Sequence, residues 1–121
     1  MNIDVKTGAL AQEIKGVLER HFGDRLAAIY LFGSRARGEH RTDSDLDLAI
    51  VLKHIQQPLS SVDQDLLDLT YPIEIERGVH VQAWALPLES MAVVDGGPAE
   101  PTESGMRVRL AATVRREGVK L

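Results

Sequence analysis

At 121 residues, 44% hydrophobic and with a net charge of −4, the chain has material for one globular domain with one ordinary core. The acidic balance argues against broad electrostatic binding to a nucleic-acid duplex, and the absence of cysteine excludes a disulfide framework and thiolate metal sites. No stretch approaches the roughly 20 apolar residues of a membrane span, and residues 1–6 lack the apolar core of a signal peptide, so a cytoplasmic protein is the expectation.

In chain order, Leu10, Ile14, Val17, Leu18 and Phe22 recur at helical spacing, so residues 8–22 read as an amphipathic helix capped by Thr7 and stopped by Gly23. His21 lies in its last turn, where a cation suits the helix dipole. Residues 26–32 are apolar nearly throughout, as a strand covered on both faces should be. Residues 34–37 read as a short helical turn, and residues 38–42 as a polar loop containing His40 and Arg41. Residues 45–52 form a second strand. Leu46, Leu48 and Ile50 face the core, and Asp45 and Asp47 share the other face with Ala49 and Val51. Asp43 is a turn residue.

Residues 53–61 form a loop containing Pro58. A helix follows over residues 62–77, capped by Ser60 or Ser61, with Leu66, Leu67, Leu69 and Ile73 as its buried stripe. Pro72 lacks an N–H and predicts a kink or break near Tyr71, and Gly78 ends the element. Residues 79–86 form a third strand, with Val79, Val81, Ala83 and Ala85 on one face and His80, Gln82, Trp84 and Leu86 on the other. A short helix over residues 88–94, a Gly/Pro-rich linker over 95–101 and a final helix over 103–117 complete the chain.

The chemistry concentrates between the first two strands. Gly33 lets backbone approach a ligand closely. Ser34 opens the helical turn with a hydroxyl and free N–H groups suited to an anion. Arg35 and Arg37 add positive charge. Two carboxylates on one strand face, Asp45 and Asp47, repel unless a counter-charge joins them. They suit a hard cation such as Mg²⁺, which commonly takes one or two carboxylates together with substrate phosphates.

The run from Phe32-Gly33-Ser34-Arg35-Ala36-Arg37-Gly38 through Ser44-Asp45-Leu46-Asp47-Leu48 resembles the DNA polymerase β-type nucleotidyltransferase superfamily. The small size and the ending Glu117-Gly118-Val119-Lys120-Leu121 resemble its minimal nucleotidyltransferase branch. The resemblance implies an α/β (α+β) fold: a small, mixed, mostly antiparallel sheet of three or four strands with helices packed on it. Residues 1–94 would be the nucleotidyltransferase domain, and 95–121 a linker and C-terminal helix of the same domain. It further implies two Mg²⁺ ions on the catalytic pair Asp45 and Asp47, and ATP phosphates held by Gly33 and Ser34 with help from Arg35 and Arg37. AMP would pass to a hydroxyl, and a HEPN-domain toxin is the partner such proteins commonly have. Self-association stays open.

One position departs from the family pattern. A third carboxylate is usual on the strand after the second long helix, and Gln82 stands there. Glutamine carries no charge and cannot act as a general base. His80, on the same face, is the alternative base or ligand, while Glu74 and Glu76 precede the strand and are less well placed. Nucleotide binding should then survive better than catalysis, so an antitoxin-type binding module and a nucleotide-binding pseudoenzyme stand beside the enzyme.

Overall fold

The computed structural model describes residues 4–39, 44–91 and 103–121. The elements in chain order are α1 (Val5–Phe22), a single 3₁₀ turn (Gly23–Arg25), β1 (Leu26–Phe32), α2 (Ser34–Arg37), β2 (Leu46–Leu52), α3 (Leu59–Arg77), β3 (Val81–Pro87), α4 (Leu88–Met91), α5 (Glu103–Glu117) and β4 (Val119–Lys120). Four strands form one sheet in the order β3-β2-β1-β4. β1 runs antiparallel to β2 and to β4, and β2 runs parallel to β3. The parallel pair follows from the intervening α3, since a parallel partner needs a long crossover.

Strand alternation divides the core into two layers. Ile29, Leu31, Leu46, Leu48, Ile50, Val81 and Ala85 meet α1 and α3 through Leu10, Ile14, Leu18, Phe22, Val62, Leu66 and Ile73. On the opposite face, Ala49, Val51 and Leu86 meet Ala111 and Val114 of α5, with Ala28, Tyr30 and Phe32 packed alongside. Asp47 shares the parity of Ala49 and Val51, so it belongs to the α5 face. Arg107 ties α5 down: Nη1 donates to the Ala85 carbonyl and Nη2 to Asp63 of α3, both at 2.6 Å. Arg107 is buried.

Several expectations need correction. The cap of α1 is Asp4, whose Oδ1 accepts the Thr7 N–H at 2.9 Å, so the helix starts earlier than residue 8. Thr7 itself is fully buried. Pro58, not Ser60 or Ser61, precedes α3 as its cap residue. The helix runs unbroken through Pro72: the ring lies on the exposed side, and Leu66 and Ile73 seat the helix on the sheet on either side of it. Leu67 is not in the buried stripe; it is 48% exposed. The short strand β4, read from sequence only as a tail, pairs Val119 with Leu31 and Lys120 with Tyr30. His40, Arg41, Asp43 and the linker over 95–101 lie outside the described residues. Among the described residues, no helix is long and apolar enough to cross a membrane.

Candidate active site

β1 ends at Phe32, which pairs with Asp47 across the antiparallel ladder. The next residue, Gly33, turns the chain with φ of +77°, a conformation that L side chains rarely adopt. A Cβ placed on Gly33 would collide with the Asp47 carboxylate. Glycine is required by its dihedral, and a Cβ there would also make the Asp47 carboxylate shift. The Gly33 carbonyl then accepts the Ala36 and Arg37 N–H groups at 3.1 and 3.2 Å, closing α2. The Ser34 hydroxyl donates to no group among the described residues.

Asp45 immediately precedes β2, and Asp47 is its second residue. Asp47 is half-buried. Burial, and next the neighbouring Asp45 charge, push its carboxyl above the usual carboxylate range, while Arg37 and His80 pull the other way. The site thus holds two like charges in partial competition, as expected of a carboxylate pair built for a cation. Among the described residues, no cluster of three or more His, Asp or Glu side chains that could hold a metal forms. The donor set still fits Mg²⁺, which binds through one or two carboxylates plus phosphate and water oxygens rather than in a protein cage.

Gln82 lies directly beside Asp47 on the parallel neighbour β3, and its Nε2 donates to Asp45 Oδ2 at 2.9 Å. The expected facing of Gln82 is correct, and its amide now serves as a neutral donor to the pair. His80 is exposed and pairs with α3. Its Nδ1 sits 2.7 Å from Glu74 Oε1, which also accepts the Val81 N–H at 2.7 Å. Glu74 thereby anchors the start of β3, a role its position on the helix did not suggest.

The two arginines part company. Arg37 is exposed and pairs with Glu39 at 3.2 Å and Glu117 at 3.0 Å. The hydrogen bond to Glu39 raises its pKa, burial opposes, and the Glu117 and Glu39 charges add to the rise. Arg35, expected to help hold phosphate, is engaged within the fold. It is buried, with Nε and Nη2 donating to the Ser44 carbonyl at 3.1 and 3.0 Å and Nη1 donating to Thr7 Oγ1 at 2.8 Å. Its guanidinium ties α1 to the residue just before Asp45. Sequence reading also missed Glu117, whose Oε1 accepts the Gly33 N–H at 3.3 Å across 84 residues of chain. Its only sequence signal is its place at the end of the last helix, just before Gly118.

A family model described as polymerase beta, nucleotidyltransferase matches residues 12–84, more than half of the chain, from within α1 to the middle of β3. The chain belongs to this nucleotidyltransferase family. Two of the solved structures that resemble it are similar over most of their length. One is a candidate nucleotidyltransferase from Sulfolobus solfataricus, with 26% identity over 73% of each chain and a TM-score of 0.54. The other is a candidate minimal nucleotidyltransferase, with 29% identity over 95% of each chain and a TM-score of 0.52. No curated protein matches the chain. The polymerase β-like fold expected from the Gly33–Asp47 run is the fold found, and the four-stranded mixed sheet is its framework.

Proposed function

We propose that this nucleotidyltransferase moves a nucleoside monophosphate, AMP from ATP, onto a hydroxyl with the help of Mg²⁺. The observation that carries the reading is the packing of Asp47 against Gly33, which joins a carboxylate pair to a glycine–serine turn. Asp45 and Asp47 would hold Mg²⁺, which supplies charge neutralisation at the attacked phosphorus and at the departing pyrophosphate. Gly33, Ser34 and Arg37 would bind the β- and γ-phosphates. Arg35 acts one step back, fixing the Ser44 carbonyl and with it the entry to Asp45.

The acceptor oxygen attacks the α-phosphorus as the bond to the β-phosphate oxygen breaks, and pyrophosphate leaves with the electron pair. The acceptor proton needs a base, which Gln82 cannot be. His80 offers its Nε2, since Nδ1 is engaged by Glu74. A hydroxyl carried by a protein partner, of which a HEPN-domain toxin is the type the family resemblance suggests, suits a chain this small. The hydrogen bond from Gln82 to Asp45 favours a second reading, a nucleotide-binding module with little or no transfer.

Incubation with labelled ATP, Mg²⁺ and the neighbouring gene's protein, followed by mass spectrometry, separates the two. Transfer of an AMP mass that disappears in Asp47→Asn supports the enzyme. Mg²⁺-dependent ATP binding without transfer supports the module. No ATP binding at all overturns both.

A further inference from the structure

Glu117 is the last residue of α5, and its carboxylate engages two groups that the proposed function gives to the triphosphate. Its Oε1 accepts the Gly33 N–H at 3.3 Å and the Arg37 Nη1–H at 3.0 Å. This is not a surface side chain resting where it can. The Glu117 side chain is 22% exposed, and the backbone on both sides of it is fixed. Upstream, Ala111 and Val114 of α5 are buried against the sheet. Downstream, the Gly118 N–H donates to the Val114 carbonyl at 2.7 Å, and a Cβ on Gly118 would press on that same oxygen. Val119 and Lys120 then pair with β1, and the Leu121 N–H donates to the Ile29 carbonyl at 2.9 Å. A tight helix-to-strand junction delivers the carboxylate to the turn.

A carboxylate oxygen and a terminal phosphate oxygen compete for the same donors: both are anionic acceptors and both seek an N–H and a guanidinium. They cannot share the Gly33 N–H and Arg37 without strong repulsion between them. We infer that Glu117 is an internal stand-in for a phosphate oxygen, a latch that a polyphosphate ligand must displace, and that it sets the preference for ligands of high negative charge. The inference rests on the nucleotide reading above. A triphosphate brings several charges to replace the one carboxylate and can open the latch, whereas a monophosphate brings too few. When the latch opens, Arg37 exchanges one anionic partner for another, and the Gly33 N–H remains satisfied throughout. A ligand that must first open a closed state binds more weakly by the fraction of molecules already open.

The test uses the full chain and titrates inorganic tripolyphosphate, then ATP and AMP, into wild type and Glu117→Gln, first in EDTA and then with Mg²⁺. The amide keeps the size of the side chain and loses the charge. Tripolyphosphate should bind Glu117→Gln tighter by roughly threefold or more, since a half-exposed ion pair and one long hydrogen bond are modest restraints. AMP should gain a larger factor than ATP, narrowing the preference for the triphosphate. In wild-type protein, tripolyphosphate should shift the Gly33 amide resonance towards its position in the variant. Glu117→Asp, which withdraws the charge by one methylene, should give part of the same gain. Equal or weaker tripolyphosphate binding by both variants overturns the latch, as does a Gly33 amide that stays still while the ligand binds. If wild type binds Mg·ATP through Asp47 and the variants do not differ from it, only the latch falls. If neither wild type nor variant binds any of the ligands, the nucleotide reading falls with it.

Discussion

Gly33 and Asp47 are locked together: the carboxylate of one occupies the space that a side chain on the other would need. The contact couples the turn after β1 to the acidic strand β2, two segments linked otherwise by the Phe32–Asp47 pairing of the ladder. Gly33→Ala therefore meets two penalties, a positive φ and a displaced carboxylate. A strained dihedral alone costs about 1–3 kcal/mol. The variant should melt at a lower temperature and lose Mg²⁺-dependent ATP binding. An alanine variant that binds Mg·ATP normally would show that the turn and the carboxylates are independent.

Arg35 and Arg37 are two residues apart, and their substitutions should have opposite signatures. Arg35→Ala removes a buried cation and, among the described residues, its three hydrogen bonds to Ser44 and Thr7. Bonds to charged groups contribute about 1.5–3 kcal/mol each at most, and not additively, so a loss of about 2–3 kcal/mol in denaturant unfolding is expected. Arg37→Ala removes an exposed guanidinium and its ion pairs with Glu39 and Glu117. It should leave the melting temperature within a few degrees of wild type and weaken ATP binding several-fold. The reverse assignment, with Arg37 essential to folding and Arg35 to nucleotide, would refute the division of labour.

The site was legible in sequence where local chemistry determined it. Glycine–serine after an apolar strand and Asp-x-Asp at the head of the next are short-range patterns, and strand alternation alone put Gln82 on the aspartate face. Long-range partners left no such trace. A four-residue turn presents Arg35 and Arg37 alike, and only α1 packed across the turn, with Thr7 reaching in, makes one of them structural. Glu117 meets Gly33 through the fold of α5 and β4, which no periodicity in the chain encodes. Pro72 misled for a related reason: a proline rule describes an isolated helix, whereas α3 is held by its packing.

Asp47 makes a prediction with a defined sign. Its carboxyl is pushed up in the folded protein, chiefly by burial and then by Asp45. The fold therefore binds its proton more tightly than the unfolded chain does. That advantage is fully present below the usual carboxylate range and is lost as the pH rises through the raised folded value. At neutral pH the ionised, half-buried Asp47 is a burden on the metal-free protein. Asp47→Asn should raise the metal-free melting temperature by a few degrees at pH 7, with the difference shrinking towards pH 4. Added Mg²⁺ with ATP should stabilise wild type and not the variant. A variant less stable than wild type at pH 7 would mean that the carboxylate makes more in the folded state than it loses.

Gln82 decides whether the site is arrested or merely slow. Its amide donates to Asp45 Oδ2, so Gln82→Glu would turn a donor into an acceptor and set two carboxylates against each other. Without metal this repulsion should lower the melting temperature relative to wild type. With Mg²⁺ the three carboxylates would share a cation, and the sign reverses, because a bound divalent ion is the largest charge in such a site. Calorimetry should find tighter Mg²⁺ binding in Gln82→Glu, and the stabilisation by Mg²⁺ with ATP should exceed that of wild type. If transfer is limited by the missing carboxylate, its rate should rise by about tenfold or more, up to the roughly 10²–10⁴ ascribed to a general base. The shorter Gln82→Asp should show the same signs with smaller size, since its carboxylate stops one methylene further from Asp45. Unchanged Mg²⁺ affinity in both variants would mean that position 82 does not complete the metal site, and His80→Ala, with its Nε2 as the remaining proton acceptor near the pair, would then be the variant that should abolish transfer.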